Sequence, residues 1–452
     1  MSRMFGTDGV RGVANKELTV ELAMQLGRYG AHVITGRKRG AKILVGADTR
    51  ISGEMLENAL IAGILSSGCD VIKLGVIPTP AVAKLVRLYQ ADAGVMISAS
   101  HNPAEFNGIK FFNSEGLKLS DAVEDEIEAE IKSQKPFDLP VGGALGRISF
   151  AESAKETYVK SVLETYSGPS LDGMRVVLDC ANGAASEVAP MAIRALGAEV
   201  IALHNTPDGI NINAGCGSTH MDDLMAQVKA HNAHVGLAFD GDADRLLAVD
   251  ENGQFVDGDK IMAICGQFLK VQNQLAENTI VTTVMTNLGF DIAMKENGMK
   301  TVKTQVGDRY VLENMLANGY ELGGEQSGHI IFLRYNTTGD GLLTAVQLLR
   351  VMRATEKSLS ELANIMTVYP QVLKNAKVAN HLKQRYMENE LIAERIRQVE
   401  QDFSGKGRVL IRPSGTEPLV RVMIEGSDLG KLEQTAVELT ALIEAQLSPE
   451  HN

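Results

Sequence analysis

Ile43-Leu44-Val45-Gly46, an aliphatic run closed by glycine, leads within a few residues into the helix-length amphipathic segment 54–67. Val176-Val177-Leu178-Asp179 leads in the same way into 186–196, and Ile280-Val281-Thr282-Thr283-Val284 into 290–297. A short β-branched run, a turn containing Gly or Asn and a helix with one apolar face make the α/β signature. Its recurrence predicts three similar α/β units, with a structural repeat as the hypothesis behind them. Near Tyr369-Pro370 the pattern changes to a charged helix (388–403), a strand (408–411), a Pro/Gly turn, a strand (419–425) and a last helix (429–447). That tail predicts a smaller α+β domain with antiparallel pairing. A polar segment, 132–146, with Pro136 and Pro140 follows the acidic helix 121–131, whose charged side is expected to be a solvated face. The helix 152–165 opens a second unit that ends after Glu251-Asn252-Gly253, and a third starts near Asp257. The expected domains are 1–150, 151–254, 255–369 and 370–452.

Composition bounds the function. The chain has 452 residues, 44 Lys+Arg against 56 Asp+Glu, a net charge of −12 and 44% hydrophobic residues, the profile of a soluble globular protein. This is too long for one small binding module at about 150 residues per domain. Net acidity argues against a nucleic-acid partner, so an anionic ligand must meet a local cluster of Arg and Lys. No stretch, at the start or elsewhere, approaches the ~18 apolar residues of a membrane span, so neither a cleavable signal nor a membrane segment is expected. Cys69, Cys180, Cys216 and Cys265 lie far apart without metal-ligand spacing, which fits reduced thiols in the cytoplasm. With no Trp and 5% aromatics, a module that stacks sugars on aromatic rings is disfavoured.

The densest chemistry is Asp240-Gly241-Asp242-Ala243-Asp244-Arg245, directly after the apolar strand 235–239. Carboxylates at alternate positions of a tight loop can converge on one hard cation, and an all-oxygen set favours Mg²⁺ or Ca²⁺. An EF-hand would also want Glu251 where it stands, but Arg245 occupies the position of its glycine and the flanks read as strands. A solvated acidic turn is the plain alternative. Ile97-Ser98-Ala99-Ser100-His101-Asn102-Pro103 ends another apolar strand. Its hydroxyls could merely cap a turn. A Ser/His hydrolase is disfavoured because there is no Gly-x-Ser-x-Gly elbow, and because neighbouring side chains on extended backbone point to opposite faces. A serine together with a Mg²⁺ site suggests phosphoryl transfer, and Lys110, in Asn107-Gly108-Ile109-Lys110, can supply positive charge to the transferring group.

Arg412-Pro413-Ser414-Gly415-Thr416-Glu417-Pro418, with Arg421 shortly after, gathers two guanidinium groups, two hydroxyls and glycine N–H into an anion nest. No P-loop occurs. Gly323-Gly324-Glu325-Gln326-Ser327-Gly328-His329 mixes a carboxylate, an amide, a hydroxyl and an imidazole that can orient sugar hydroxyls, or it is a surface turn. In Phe5-Gly6-Thr7-Asp8-Gly9-Val10-Arg11-Gly12, Arg11 either meets an anion or pins the loop through Asp8.

These five segments, in this order across nearly the whole chain, resemble the α-D-phosphohexomutase superfamily. Phe-Gly-Thr-Asp-Gly-Val-Arg-Gly, Gly-Glu-Gln-Ser-Gly-His and Arg-Pro-Ser-Gly-Thr-Glu-Pro resemble its glucosamine branch. Mannose/glucose mutases tend to have Met at the place of Gln326 and Asn at that of Gly415. Ala243 departs from the commoner Gly, a small residue that should keep the carboxylate spacing.

The resemblance implies three α/β domains with mixed sheets and a smaller C-terminal domain around a central cleft. It implies a phosphoserine at Ser100 and one Mg²⁺ on Asp240, Asp242, Asp244 and the Ser100 phosphate. His101, Lys110, Arg11 and Arg245 would serve catalysis, with the general base unassigned. Glu325, Ser327 and His329 would hold the sugar, and Arg412, Ser414, Gly415, Thr416 and Arg421 the non-reacting phosphate under a closing tail domain. The implied reaction interconverts glucosamine 6-phosphate and glucosamine 1-phosphate, with a hexose or hexosamine 1,6-bisphosphate as activator, ahead of cell-wall amino-sugar synthesis. The alternative is the same chemistry on mannose and glucose phosphates, and a non-catalytic sugar-phosphate sensor is the alternative of another class. A homodimer and, in some bacteria, a regulatory contact with a cyclic-dinucleotide synthase are implied as partners.

Overall fold

The computed structural model describes residues 3–6, 8–134, 138–403, 407–414 and 417–447. They divide into two compact units, one of residues 1–285 and 298–365, the other of 286–297 and the tail from Met366.

The first unit holds three mixed sheets built on one plan. In each, a central strand pairs in parallel with the next two strands of the chain, and the second of these turns back into an antiparallel neighbour. The central strands are Lys42–Ala47, Arg175–Asp179 and Thr279–Thr283. The parallel strands that turn back are Ala93–Ile97, Val235–Phe239 and Leu322–Gly324, and their antiparallel partners are Phe106–Asn113, Leu246–Asp250 and Ile330–Phe332. Ala93–Ile97, Val235–Phe239 and Thr279–Thr283 are buried at every position, as expected of strands covered on both faces. The repeat inferred from the three strand-to-helix runs is therefore present as topology. The first sheet is widened by Val10–Val13 at one edge and Ile148–Phe150 at the other.

The acidic helix Asp121–Ser133 is not simply a solvated face. Glu124, Glu128 and Glu130 are buried. Glu128 accepts the Met4 amide at 2.7 Å, and Arg3 pairs with Asp121 at 2.7 Å and Asp125 at 2.9 Å. The helix thereby ties down the segment that leads to Asp8 and Arg11.

The second unit is an antiparallel sheet in the order Gln371–Lys377, Leu419–Gly426, Gly407–Pro413, with helices Glu390–Asp402 and Leu429–Gln446. Its core includes Ile392, Val399, Val422, Leu432 and Ile443. Gln371–Lys377 is an edge strand with a mostly exposed pattern, so no apolar alternation announces it. The helix Leu288–Glu296 belongs to this unit. The fully buried Glu425 accepts from the Leu288 amide (3.2 Å), Asn287 Nδ2 (3.3 Å) and Arg408 Nε (2.7 Å), while Arg408 also donates to the Thr286 carbonyl. Among the described residues no helix is long and apolar enough to cross a membrane.

Candidate active site

Three chemically loaded loops are the same connection of the three sheets, where the third strand turns back. Residues 98–105 carry Ser100, 240–245 the carboxylates, and 325–329 the sugar-loop candidates.

Ser100 is 1% exposed, and its backbone is left-handed at φ +52°. Its hydroxyl donates to Asp240 Oδ2 at 2.6 Å and lies 3.4 Å from His101 Nδ1. The expectation that Ser and His point apart assumed an extended chain, and the left-handed turn removes that assumption. Burial, then Arg245 and Arg11, pull the His101 proton affinity below the usual value. The ring is therefore neutral at pH 7.

Asp240, Asp242 and Asp244 each offer a ligand oxygen, all within 4.8 Å of one another. Thr79 Oγ1 (2.6 Å) and Lys110 Nζ (2.8 Å) both donate to Asp242 Oδ2, whereas the buried Oδ1 atoms of Asp242 and Asp244 have no hydrogen-bond partner. Burial, with Asp244 and Asp242 beside it, pushes the Asp240 carboxyl well above the usual range. Crowded buried oxygens with unpaired lone pairs fit a hard divalent cation such as Mg²⁺. Glu251 is spent on the Ser360 amide at 3.2 Å, so the calcium-loop alternative falls away. Ala243, at φ +56°, keeps the carboxylates together from a backbone conformation that glycine adopts more easily.

Lys110 is 2% exposed and lies between Asp242 (2.8 Å) and Asp8 (3.1 Å). Burial alone would lower its proton affinity, but Asp242 and Asp8 raise it, so it stays charged. Asp8 also pairs with Arg11, one of the two alternatives for that residue, and with Lys118 at 2.7 Å. Lys118 continues to Asp308 at 2.6 Å, Asp308 to His329 Nε2 at 3.3 Å, and His329 Nδ1 to Asp244 at 3.4 Å. A ring of alternating charges thus runs from one metal-loop carboxylate to another. Burial pushes the His329 imidazole down, but Asp244 and Asp308 outweigh it and carry it to about 9. The Gly339 amide meets Nε2 at 3.0 Å, a bond only the neutral ring accepts. Carboxylates facing both nitrogens favour the charged ring more strongly. Arg245, its Nε 3.8 Å from Asp244, is held charged: burial opposes this, but the three carboxylates prevail.

Of the sugar-loop candidates, Ser327 is exposed, Glu325 is half-buried and His329 is buried in the charge ring. Glu325 accepts the Gly307 amide at 3.2 Å, and Gln326 donates to Asp257 at 3.2 Å. In the second unit Arg412 and Arg421 face each other across neighbouring strands. Like charges directly opposite are unfavourable without an anion between them. Burial and Arg421 both lower the Arg412 proton affinity. Ser414 Oγ accepts the Glu417 amide at 3.1 Å, and Lys383 donates to the Ser414 carbonyl. Gly415 and Thr416 lie outside the described residues. Thr79, Lys118, Asp308 and Lys383 escaped the sequence reading because each sits alone among ordinary residues and acquires its partner only through the fold.

Four family profiles match in order: Phosphoglucomutase/phosphomannomutase alpha/beta/alpha domain I at residues 2–137, domain II at 156–253, domain III at 257–369 and the C-terminal domain at 373–442. A phosphoglucosamine mutase of Ruminiclostridium cellulolyticum is 60% identical over 450 residues, 99% of this chain and 100% of that one. A phosphoglucomutase/phosphomannomutase family protein of Burkholderia thailandensis shares the fold at a TM-score of 0.83 and 24% identity, over 100% of this chain and 99% of that one. Aspergillus fumigatus N-acetylphosphoglucosamine mutase, solved with GlcNAc-6P and magnesium, superposes at a TM-score of 0.68 and 16% identity, over 98% of this chain and 96% of that one. With four domain profiles in series and a relative matched end to end, the chain belongs to the phosphoglucosamine mutase family of the phosphohexomutases.

Proposed function

We propose that the chain interconverts glucosamine 6-phosphate and glucosamine 1-phosphate through a phosphoserine at Ser100. The observation that carries this reading is the buried Ser100 hydroxyl bonded to Asp240 at 2.6 Å, with Lys110 held charged on the next carboxylate of the loop, Asp242. In the first half-reaction the bond between phosphorus and Ser100 Oγ breaks, and a bond from phosphorus to the sugar's 1-oxygen forms. The proton of the 1-hydroxyl passes to a base, and Ser100 Oγ takes up a proton as it leaves. The resulting 1,6-bisphosphate turns over in the site, and its 6-phosphorus bonds to Ser100 Oγ as the bond to the 6-oxygen breaks, the 6-oxygen taking up a proton. The Ser100 proton released then has a neutral acceptor, His101 Nδ1, 3.4 Å away. Lys110 and Arg245 supply positive charge to the equatorial oxygens of the transferring group. Asp240, Asp242 and Asp244 would hold Mg²⁺, which when bound neutralises charge developing on the phosphoryl oxygens. Arg412, Ser414, Thr416 and Arg421 bind the phosphate that is not reacting, and Glu325 and Ser327 the sugar hydroxyls in both orientations. A 1,6-bisphosphate recharges any enzyme that has lost its phosphoryl group.

Phosphorus NMR of the protein with Mg²⁺, a trace of hexose 1,6-bisphosphate and the 6-phosphates of glucosamine, glucose and mannose in parallel tests this. Rapid formation of glucosamine 1-phosphate with slow conversion of the others is expected. Preference for glucose or mannose phosphate would overturn the substrate assignment. Release of inorganic phosphate without isomer would overturn the mutase reading itself.

A further inference from the structure

A left-handed backbone at a non-glycine residue is strained and persists only where its surroundings enforce it. At Ser100 the enforcement comes from both sides of the loop. Ser98 Oγ accepts the Ser100 amide at 3.0 Å and donates to Asp48 Oδ2 at 2.6 Å. Opposite, two side chains converge on the same pair of carbonyls. Arg50 donates to the Ser100 carbonyl at 3.1 Å and to the Asn102 carbonyl, and Asn213 Nδ2 donates to the same two at 2.9 and 3.0 Å. Arg50 follows the central strand of the first sheet and is paired with Asp48, while Asn213 follows the outer strand Glu199–Leu203 of the second sheet. Asp48, Arg50, Ser98 and Asn213 are all buried. The bonds of Arg50 and Asn213 go to backbone carbonyls and to Asp48, none of them to the Ser100 hydroxyl.

We propose that Arg50 and Asn213 are positioning residues for the nucleophile: by clamping the Ser100 and Asn102 carbonyls from two different sheets, they hold the Ser100 hydroxyl at Asp240. The inference rests on Ser100 as the phosphoryl carrier proposed above. Any loop conformation that carries these carbonyls away from their two donors loses buried hydrogen bonds, which is costly. If the clamp slackens, Ser100 Oγ moves off Asp240, and a displacement on the ångström scale costs about 100-fold in rate.

Asn213→Ala removes one donor and leaves the Asp48–Arg50 pair in place. Arg50→Lys keeps the charge but loses the fork. Both are assayed for kcat and KM with glucosamine 6-phosphate, for phosphate on Ser100 by intact mass after exposure to glucose 1,6-bisphosphate, and for melting temperature. The expected result is a kcat lower by about 10- to 100-fold, a KM within about twofold of wild type, and melting close to wild type. Recovery of rate in Arg50→Ala on adding guanidinium would support the same conclusion. Variants that melt normally and keep kcat within about twofold, or that lose rate only in proportion to folded protein, would overturn the proposal while wild type still acquires the phosphate. A wild-type chain that takes up no phosphate on Ser100 would overturn the phosphoserine reading, and this inference with it.

Discussion

Lys118 is the link of the charge ring whose removal has the most calculable effect. Its ammonium is 2.7 Å from Asp8 and 2.6 Å from Asp308, with side-chain exposures of 14%, 24% and 15% for the three groups. At an effective dielectric of ~20, each contact is worth about 6 kcal/mol of attraction. Most of that is offset by the several kcal/mol of desolvation each buried ion suffers. Lys118→Met keeps the volume and takes the shared cation from two carboxylates that retain Lys110, Arg11 and His329, so the loss should be about 3 kcal/mol, the low end for breaking a buried pair. At ~2–4 °C per kcal/mol this is a fall of about 10 °C in melting temperature. With no Trp in the chain, far-UV circular dichroism is the natural probe.

The pH dependence carries a second check. Burial would raise both carboxyls, but Lys110, then Lys118 and Arg11, hold Asp8 well below, and Lys118, then His329, hold Asp308 below, the ordinary carboxylate value. Their contribution is present above about pH 3.8 and is lost as pH falls through the folded-state values. The gap between wild type and Lys118→Met should be widest near neutrality and close on acidification below pH ~4. A shift at pH 7 under about 3 °C, or a gap that widens in acid, would refute this account of the ring.

Chelation with EDTA should abolish turnover and lower the melting temperature, with Mg²⁺ restoring both, because three buried carboxylates within 4.8 Å otherwise repel one another. Full turnover in EDTA would sink the cation assignment. Burial pushes the Glu124 carboxyl up to about 7 against the pull of Arg3 and Arg309, so its stabilising protonated form is complete below its unfolded value and lost as pH rises through 7. The melting temperature of Glu124→Gln relative to wild type should therefore rise between pH 5 and pH 8, and a flat or falling difference would contradict this. In Gly183→Ala the new Cβ would lie 2.3 Å from the Gly241 carbonyl oxygen. Displacing the metal loop in this way should cost about 1–3 kcal/mol in thermal denaturation and weaken Mg²⁺ activation; wild-type values for both would show that the loop yields freely.

What the sequence made legible was local. Strand-to-helix runs such as 176–196 and the alternate carboxylates of 240–244 each declare themselves within one stretch of chain. The charge ring could not be read in that way, since Lys118 meets Asp8 across 110 positions and Asp308 across 190. The approach of Ser100 Oγ to His101 Nδ1 at 3.4 Å was not legible because the extended-chain rule does not hold at a left-handed Ser100. The acidic helix was misjudged because one face of Asp121–Ser133 grips the Arg3–Met4 segment, a contact 124 positions away for Met4 and Glu128. Asp48-Thr49-Arg50 did carry a usable signal, a charged turn at the end of a buried strand, as the other functional loops are.

Because Ser100, the carboxylates and the proposed sugar loop occupy the same corner of three like-built sheets, the molecule is a set of parts whose mounts are alike and whose tools differ. On the proposed reading, a change of sugar would be made at residues 325–327 of the third sheet, with His329 kept because it is tied to Asp244 of the metal loop at 3.4 Å. Diversification of such a protein then proceeds one corner at a time, with the inherited strand-to-strand turn fixing where each new tool must project.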